Sequence, residues 1–170
     1  DTDKGVLQSL LSDICNNLIK SGHDVHVIYP ETGIDEEFEL HLRKIPWVHA
    51  YKLPISDNFT RSQLTTPFAI RNYIKKHDGV DIIHSFGLNC GIQAYLGSLR
   101  LKVKNITTPD KINIENVTGL ALLRRFIIDN ITYVFNRLCN KIVFFSEIEQ
   151  NKAKTHINYK NIQPEFINIT

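Results

Sequence analysis

The sequence predicts an α/β domain whose parallel strands are flanked by helices, and three observations carry that expectation. The first is a helix–glycine–strand unit near the start of the chain. Val6, Leu7, Leu10, Leu11, Ile14 and Leu18 recur at the three-and-four spacing of one helical face. Gly22 then stands where a helix stops in the left-handed conformation, and Val25, Val27 and Tyr29 alternate as a strand. The second is the recurrence of short apolar runs, Val80–His84, Val103–Thr107 and Ile142–Phe145, separated by helix-length segments. That rhythm indicates a parallel sheet with right-handed crossovers. The third is Gly5, read as a loop glycine that opens the first helix, because loops at strand ends are where such sheets bind ligands.

The remaining elements follow in order. Glu31 to Arg43 is acidic and weakly patterned, and reads as a loop with a short helix. Trp47 to Leu53 reads as a strand that ends at Pro54. Pro67 is suited to the first position of a helix through Phe68, Ile70, Tyr73 and Ile74, with Lys75 and Lys76 favourable at its end. Gly79 breaks that helix, and Ser85-Phe86-Gly87 reads as a turn into a helix from about Leu88 to Leu99. After a loop over Thr108 to Val117, a long helix runs through Leu122, Phe126, Ile131, Val134 and Leu138. Ser146 caps a last helix, and Ile162 to Thr170 reads as a closing strand. The whole of residues 1–170 reads as a single domain. A strand is expected ahead of Asp1, so the chain reads as a fragment lacking its first strand.

Composition narrows the function only by exclusion. A net charge of +2 leaves no electrostatic footprint for nucleic acid. Cys15, Cys90 and Cys139 are widely spaced with no C-x-x-C pair, which fits buried thiols in a reducing compartment. No leader peptide or membrane-length apolar run is visible, so the segment reads as cytoplasmic. The dinucleotide fingerprint, the P-loop and the G-x-S-x-G elbow are missing from the sequence, and the seven histidines show no metal-ligand spacing along the chain.

Four segments then resemble, in order, the N-terminal domain of a family 4 (group 1) glycosyltransferase of the two-domain GT-B architecture. Lys4-Gly5-Val6 resembles that family's glycine loop, with one glycine of the usual pair. Ser21-Gly22-His23-Asp24-Val25-His26-Val27-Ile28 is similar to its R-G-H-E-V-H-V-I segment. Asp81-Ile82-Ile83-His84-Ser85-Phe86-Gly87 resembles D-V-V-H-x-H-G, and Asn140 to Glu147 resembles A-D-x-V-I-A-V-S-E. The resemblance implies a Rossmann-like fold and retaining transfer of a sugar from a nucleotide-sugar donor, a UDP- or GDP-sugar, to a glycan or lipid-linked acceptor. It implies no metal and no other cofactor. It also implies a C-terminal donor-binding domain carrying an E-x7-E motif, and this chain is expected to stop short of that domain. Bacterial polysaccharide or glycolipid synthesis, with peripheral contact on the cytoplasmic face of the inner membrane, would suit such an enzyme.

The candidate substrate-binding residues are Gly5, His84, Asp110, Ser146 and Glu147. No residue is assigned to catalysis. Gly5 precedes helix N–H groups that suit a diphosphate or an acceptor hydroxyl, or it serves only a tight turn. His84, at a strand end beside the cleft of a switch point, either donates to a sugar hydroxyl or phosphate or is held by backbone as a core histidine. Phe86 stands where the family has a second histidine, and packing is the reading favoured for it. His23 and His26 sit at the far end of their strand and read as structural. Thr107-Thr108-Pro109-Asp110 departs from the family's T-x-H-D, since Pro109 occupies the histidine position and offers no side-chain donor. Asp110 binds a sugar hydroxyl or a basic group, or merely forms a turn. Ser146-Glu147 either caps a helix or lines the interdomain cleft. Arg124 and Arg125 beside an apolar face suggest membrane docking, against the simpler reading of a packed helix with two solvated arginines. Arg61, Arg71 and Lys75 read as surface residues. Two rivals stand beside the enzyme: a non-catalytic binding domain that kept the fold, and another sugar-nucleotide enzyme such as an epimerase.

Overall fold

Helix α1 covers Thr2–Lys20 and strand β1 covers Val25–Pro30, joined by the turn at Gly22 with φ 84°. The computed structural model describes residues 2–31, 36–53, 59–77 and 79–109, and beyond these 130, 133–134, 138–144, 147–148, 151 and 165–166. Helix α2 (Glu36–Lys44) leads to β2 (Val48–Leu53), and helix α3 spans Phe59–Lys76. Strand β3 (Ile82–Phe86), helix α4 (Leu88–Ser98) and strand β4 (Lys104–Thr108) follow, then β5 (Lys141–Phe144) and β6 (Glu165–Phe166). Every paired strand runs parallel to its neighbour, so the α/β class with helix-flanked parallel strands is as expected.

The strands fall into two sheets, β1-β2 and β3-β4-β5-β6. The chain likewise divides into two compact units, Asp1–Thr66 and Pro67–Thr170. Strand order is sequential within each sheet, so neither contains the order reversal of a switch point among the described residues.

In the first unit the core is Cys15, Val25, Val27, Tyr29, Leu42 and Ile45, with Leu11, Ile19, Phe38, Val48 and Ala50 packed against it. Leu11, Cys15 and Ile19 are one turn apart on α1, so the buried face of that helix centres on Cys15. Leu18, assigned to the apolar face from sequence, is 40% exposed on its margin. On β1 the odd positions Val25, Val27 and Tyr29 are buried and the even positions only partly so, the period-two pattern of a strand with one covered face. Glu39 of α2 binds Arg43 one turn on and Lys52 of β2, tying helix to strand.

In the second unit α4 packs on β3 and β4, and Ile142, Val143 and Phe144 of β5 are all 2% exposed or less. Helices α3 and α4 approach closely at Gly97, where a Cβ would lie 2.8 Å from the Pro67 carbonyl oxygen and 2.9 Å from Ile70 Cγ2. The Arg71 guanidinium donates to the Leu99 carbonyl oxygen at 2.8 Å. A cation at the end of α4 also suits the helix dipole, so Arg71 is an inter-segment clamp rather than a loose surface charge. Asn140 grips β4 twice: its Oδ1 accepts from the Asn105 N–H at 2.8 Å, and its N–H donates to the Asn105 carbonyl at 2.9 Å.

Several boundaries differ from the sequence expectation, each for a local reason. Helix α3 starts at Phe59 and holds Pro67 in its interior, not at its first position. Strand β3 begins at Ile82 and continues through Ser85 and Phe86, because pairing with β4 persists to Thr108 and stops only where Gly87 turns to φ 92°. Trp47 precedes β2 in the left-handed region, φ 67°. Cys15 is buried as expected, whereas Cys90 is exposed, at the start of α4. Within the expected long helix, Asn130, Tyr133, Val134 and Leu138 are helical. Arg124 and Arg125 lie outside the described residues. No helix among the described residues is long and apolar enough to cross a membrane.

Candidate functional site

The C-terminal half of β3 brings His84, Phe86 and Gly87 together with Thr108 at the end of β4. Parallel pairing sets His84 opposite Ile106 and Phe86 opposite Thr108, and alternate residues of neighbouring strands share a face. His84 Nε2 therefore reaches Thr108 Oγ1 diagonally across the pair, at 2.9 Å. On the same strand the rings of His84 and Phe86 stack, with centroids 4.6 Å apart and planes at 26°. Phe86, standing where the family has a second histidine, thus has a packing role against His84.

Burial pushes the His84 pKa down to about 4, because desolvation disfavours the imidazolium. The ring is neutral at pH 7 and works as a hydrogen-bonding group, not as a cationic partner for phosphate. With Nε2 bonded to Thr108, Nδ1 is the other hydrogen-bonding atom of the ring. It accepts if Nε2 carries the proton, and donates if the Thr108 hydroxyl donates to Nε2.

Gly87 closes this end of the site. Its N–H donates to the Thr108 carbonyl at 2.8 Å and its own carbonyl accepts from the Gly91 N–H at 3.0 Å. With φ 92° and ψ 146° it opens α4 without any side-chain cap, a conformation that excludes other residue types at little less than severe strain. The start of a helix carries outward N–H groups and a partial positive end.

Of the other predicted site residues, Gly5 and Glu147 are among the described residues. Gly5 is inside the first turn of α1 instead of in a preceding loop. A glycine costs a helix only about 1 kcal/mol relative to alanine, which the following apolar face outweighs. Asp110 and Ser146 lie outside the described residues. Glu147 is helical and exposed, and the structure gives it no contact with His84 among the described residues. Pro109 is half-buried directly after Thr108.

Two features escaped the reading of the sequence. Thr108 reads from the sequence as the first residue of a loop, and the register of β3 on β4 reveals it as the His84 partner. The second is in the first unit, where Asp24, His26 and His49 converge with their ligand-type atoms within 4.8 Å of one another. The histidines show no metal spacing along the chain, but the pairing of β1 with β2 sets His26 directly opposite His49.

Parallel strands flanked by helices define a Rossmann-like α/β domain. The chain belongs to Glycosyltransferase Family 4, whose profile matches residues 7–167. No curated protein matches the chain significantly.

Proposed function

We propose that this chain is the acceptor-side part of a retaining glycosyltransferase that moves a sugar from a UDP- or GDP-sugar to a glycan or lipid-linked acceptor. The observation that carries the reading is His84, neutral and hydrogen-bonded to Thr108 at the mouth of α4, in a chain that matches the family over residues 7–167. A base with a pKa of about 4 takes little part in proton abstraction at pH 7. His84 instead positions a hydroxyl of the acceptor or transferred sugar through Nδ1, while Thr108 fixes the ring. A donor-binding domain closing over this edge would deliver the nucleotide sugar and exclude water. Such an enzyme would work in the cytoplasm, at the membrane surface if its acceptor is lipid-linked.

Pro109 favours a second reading, a domain that binds glycan and transfers nothing, since proline supplies no contact to a sugar at that position. The deciding experiment assays the complete protein with labelled UDP- and GDP-sugars and lipid or glycan acceptors. Transfer that drops at least about tenfold in His84→Ala supports the positioning role, as loss of one oriented contact in the transition state requires. Unchanged kinetics and acceptor affinity in that variant remove His84 from the site. Glycan binding without transfer or donor hydrolysis establishes the non-catalytic reading.

A further inference from the structure

We propose that Asp24, His26 and His49 form a binding site for a divalent transition-metal ion, zinc foremost, on the outer face of the β1–β2 pair. The site follows from strand geometry. His26 and His49 are direct partners in the parallel register, and Asp24 lies two residues before His26, so all three fall on one face. That face is the opposite of the one on which Val25 and Val27 enter the core. The backbone carrying the ligands is therefore anchored, while the ligands themselves reach solvent.

The side chains are already turned toward a common point. His26 Nε2 lies 3.1 Å from Asp24 Oδ2, and His49 Nε2 lies 3.4 Å from Asp24 Oδ1. The two imidazoles thus address different oxygens of one carboxylate, their centroids 4.7 Å apart and their planes 33° from each other. Metal–ligand bonds of about 2.0–2.2 Å put the donor atoms of a tetrahedral site roughly 3.3–3.6 Å apart. The ligand atoms here lie within 4.8 Å of one another, so small rotations bring them into range. The side chains of Asp24 and His49 are 72% and 62% exposed. His26, at 22%, is the fixed member.

The donor set also selects the ion. Two imidazole nitrogens and one carboxylate suit zinc, nickel, cobalt or copper and disfavour magnesium and calcium, which take mainly oxygen donors. Three protein ligands leave a position for water, so the site is open and weaker than a closed four-ligand centre. Its consequence is a clip between two strands that are otherwise joined by main-chain hydrogen bonds and packing. Without a metal, Asp24 is hydrogen-bonded to His26 and lies 3.4 Å from the His49 Nε2. Metal binding through Nε2 requires each imidazole to be neutral with its proton on Nδ1.

The test titrates Zn2+ alone, in competition with a chromophoric chelator, into the purified protein and into His49→Gln, Asp24→Asn and His26→Gln. One saturable site is expected in the parent. Each replacement should weaken it at least about tenfold, the lower end of the loss caused by even an outer-shell partner. His41→Gln, on the exposed surface of α2, should bind as the parent does. Zinc should raise the thermal midpoint of the parent and slow amide exchange in β1 and β2, and do neither in His49→Gln. Because His49 is exposed, that variant keeps the β1–β2 fold, and its circular dichroism checks this. Undiminished binding in both His49→Gln and Asp24→Asn overturns the proposal. So does the lack of a saturable site in the parent, or an equal response to Mg2+.

Discussion

Acidification should destabilise the protein through His84 before it acts on most carboxylates. The imidazole titrates near 6.5 in an unfolded chain, and burial lowers it to about 4 in the folded one. Between those values the unfolded state holds a proton that the folded state refuses. Stability from this group is thus fully present above the unfolded value and is lost as pH falls through the window from about 6.5 to about 4. At about 1.4 kcal/mol per pH unit the whole window amounts to roughly 3 kcal/mol, with about 2 kcal/mol of it lost between roughly pH 7 and pH 5. The perturbation is His84→Gln, which keeps a polar group near Thr108 and removes the titration. Urea unfolding of parent and variant should be followed across that range. Other titrating groups contribute equally to both proteins and cancel in the difference. The parent should lose about 2 kcal/mol more than the variant between roughly pH 7 and pH 5. Parallel pH profiles would refute the argument, as would a His84 ring resonance titrating near the ordinary histidine value.

Two further perturbations read the packing of the second unit. Gly97→Ala should cost about 1–3 kcal/mol in chemical unfolding, since the new methyl meets the Pro67 carbonyl oxygen at 2.8 Å and Ile70 at 2.9 Å; a neutral result would mean that α3 and α4 separate easily. Asn140→Ala removes the acceptor for the Asn105 N–H and should cost about 1–3 kcal/mol, with faster amide exchange at Asn105 as the local signature.

The succession of helices and strands was legible because each strand is a short apolar run stopped by glycine, proline or polar residues. Gly22 and Gly79, both with positive φ, ended helical segments as the sequence suggested. Boundaries were less legible where tertiary contacts override local preference. Pro67 signals a helix start, yet α3 runs through it. Ser85-Phe86 looks like a turn, yet pairing with Thr107 and Thr108 holds both residues in β3. His84 could be singled out from its place in an apolar strand. Its partner could not, because diagonal contact across a parallel pair depends on a register that no linear spacing records. The same reason hid Asp24, His26 and His49, whose separation of more than twenty residues along the chain vanishes when β1 and β2 align.

Helix α4 is gripped at both ends by groups from outside it. At its start the Gly87 N–H is bound to the Thr108 carbonyl, and at its end the Leu99 carbonyl is bound by Arg71. A rod pinned in this way can neither slide nor swing without breaking a bond at one end. Change around His84 must then come by exchanging side chains on a stationary frame. Mutational drift in this region should therefore be read residue by residue, as retuning of a fixed instrument.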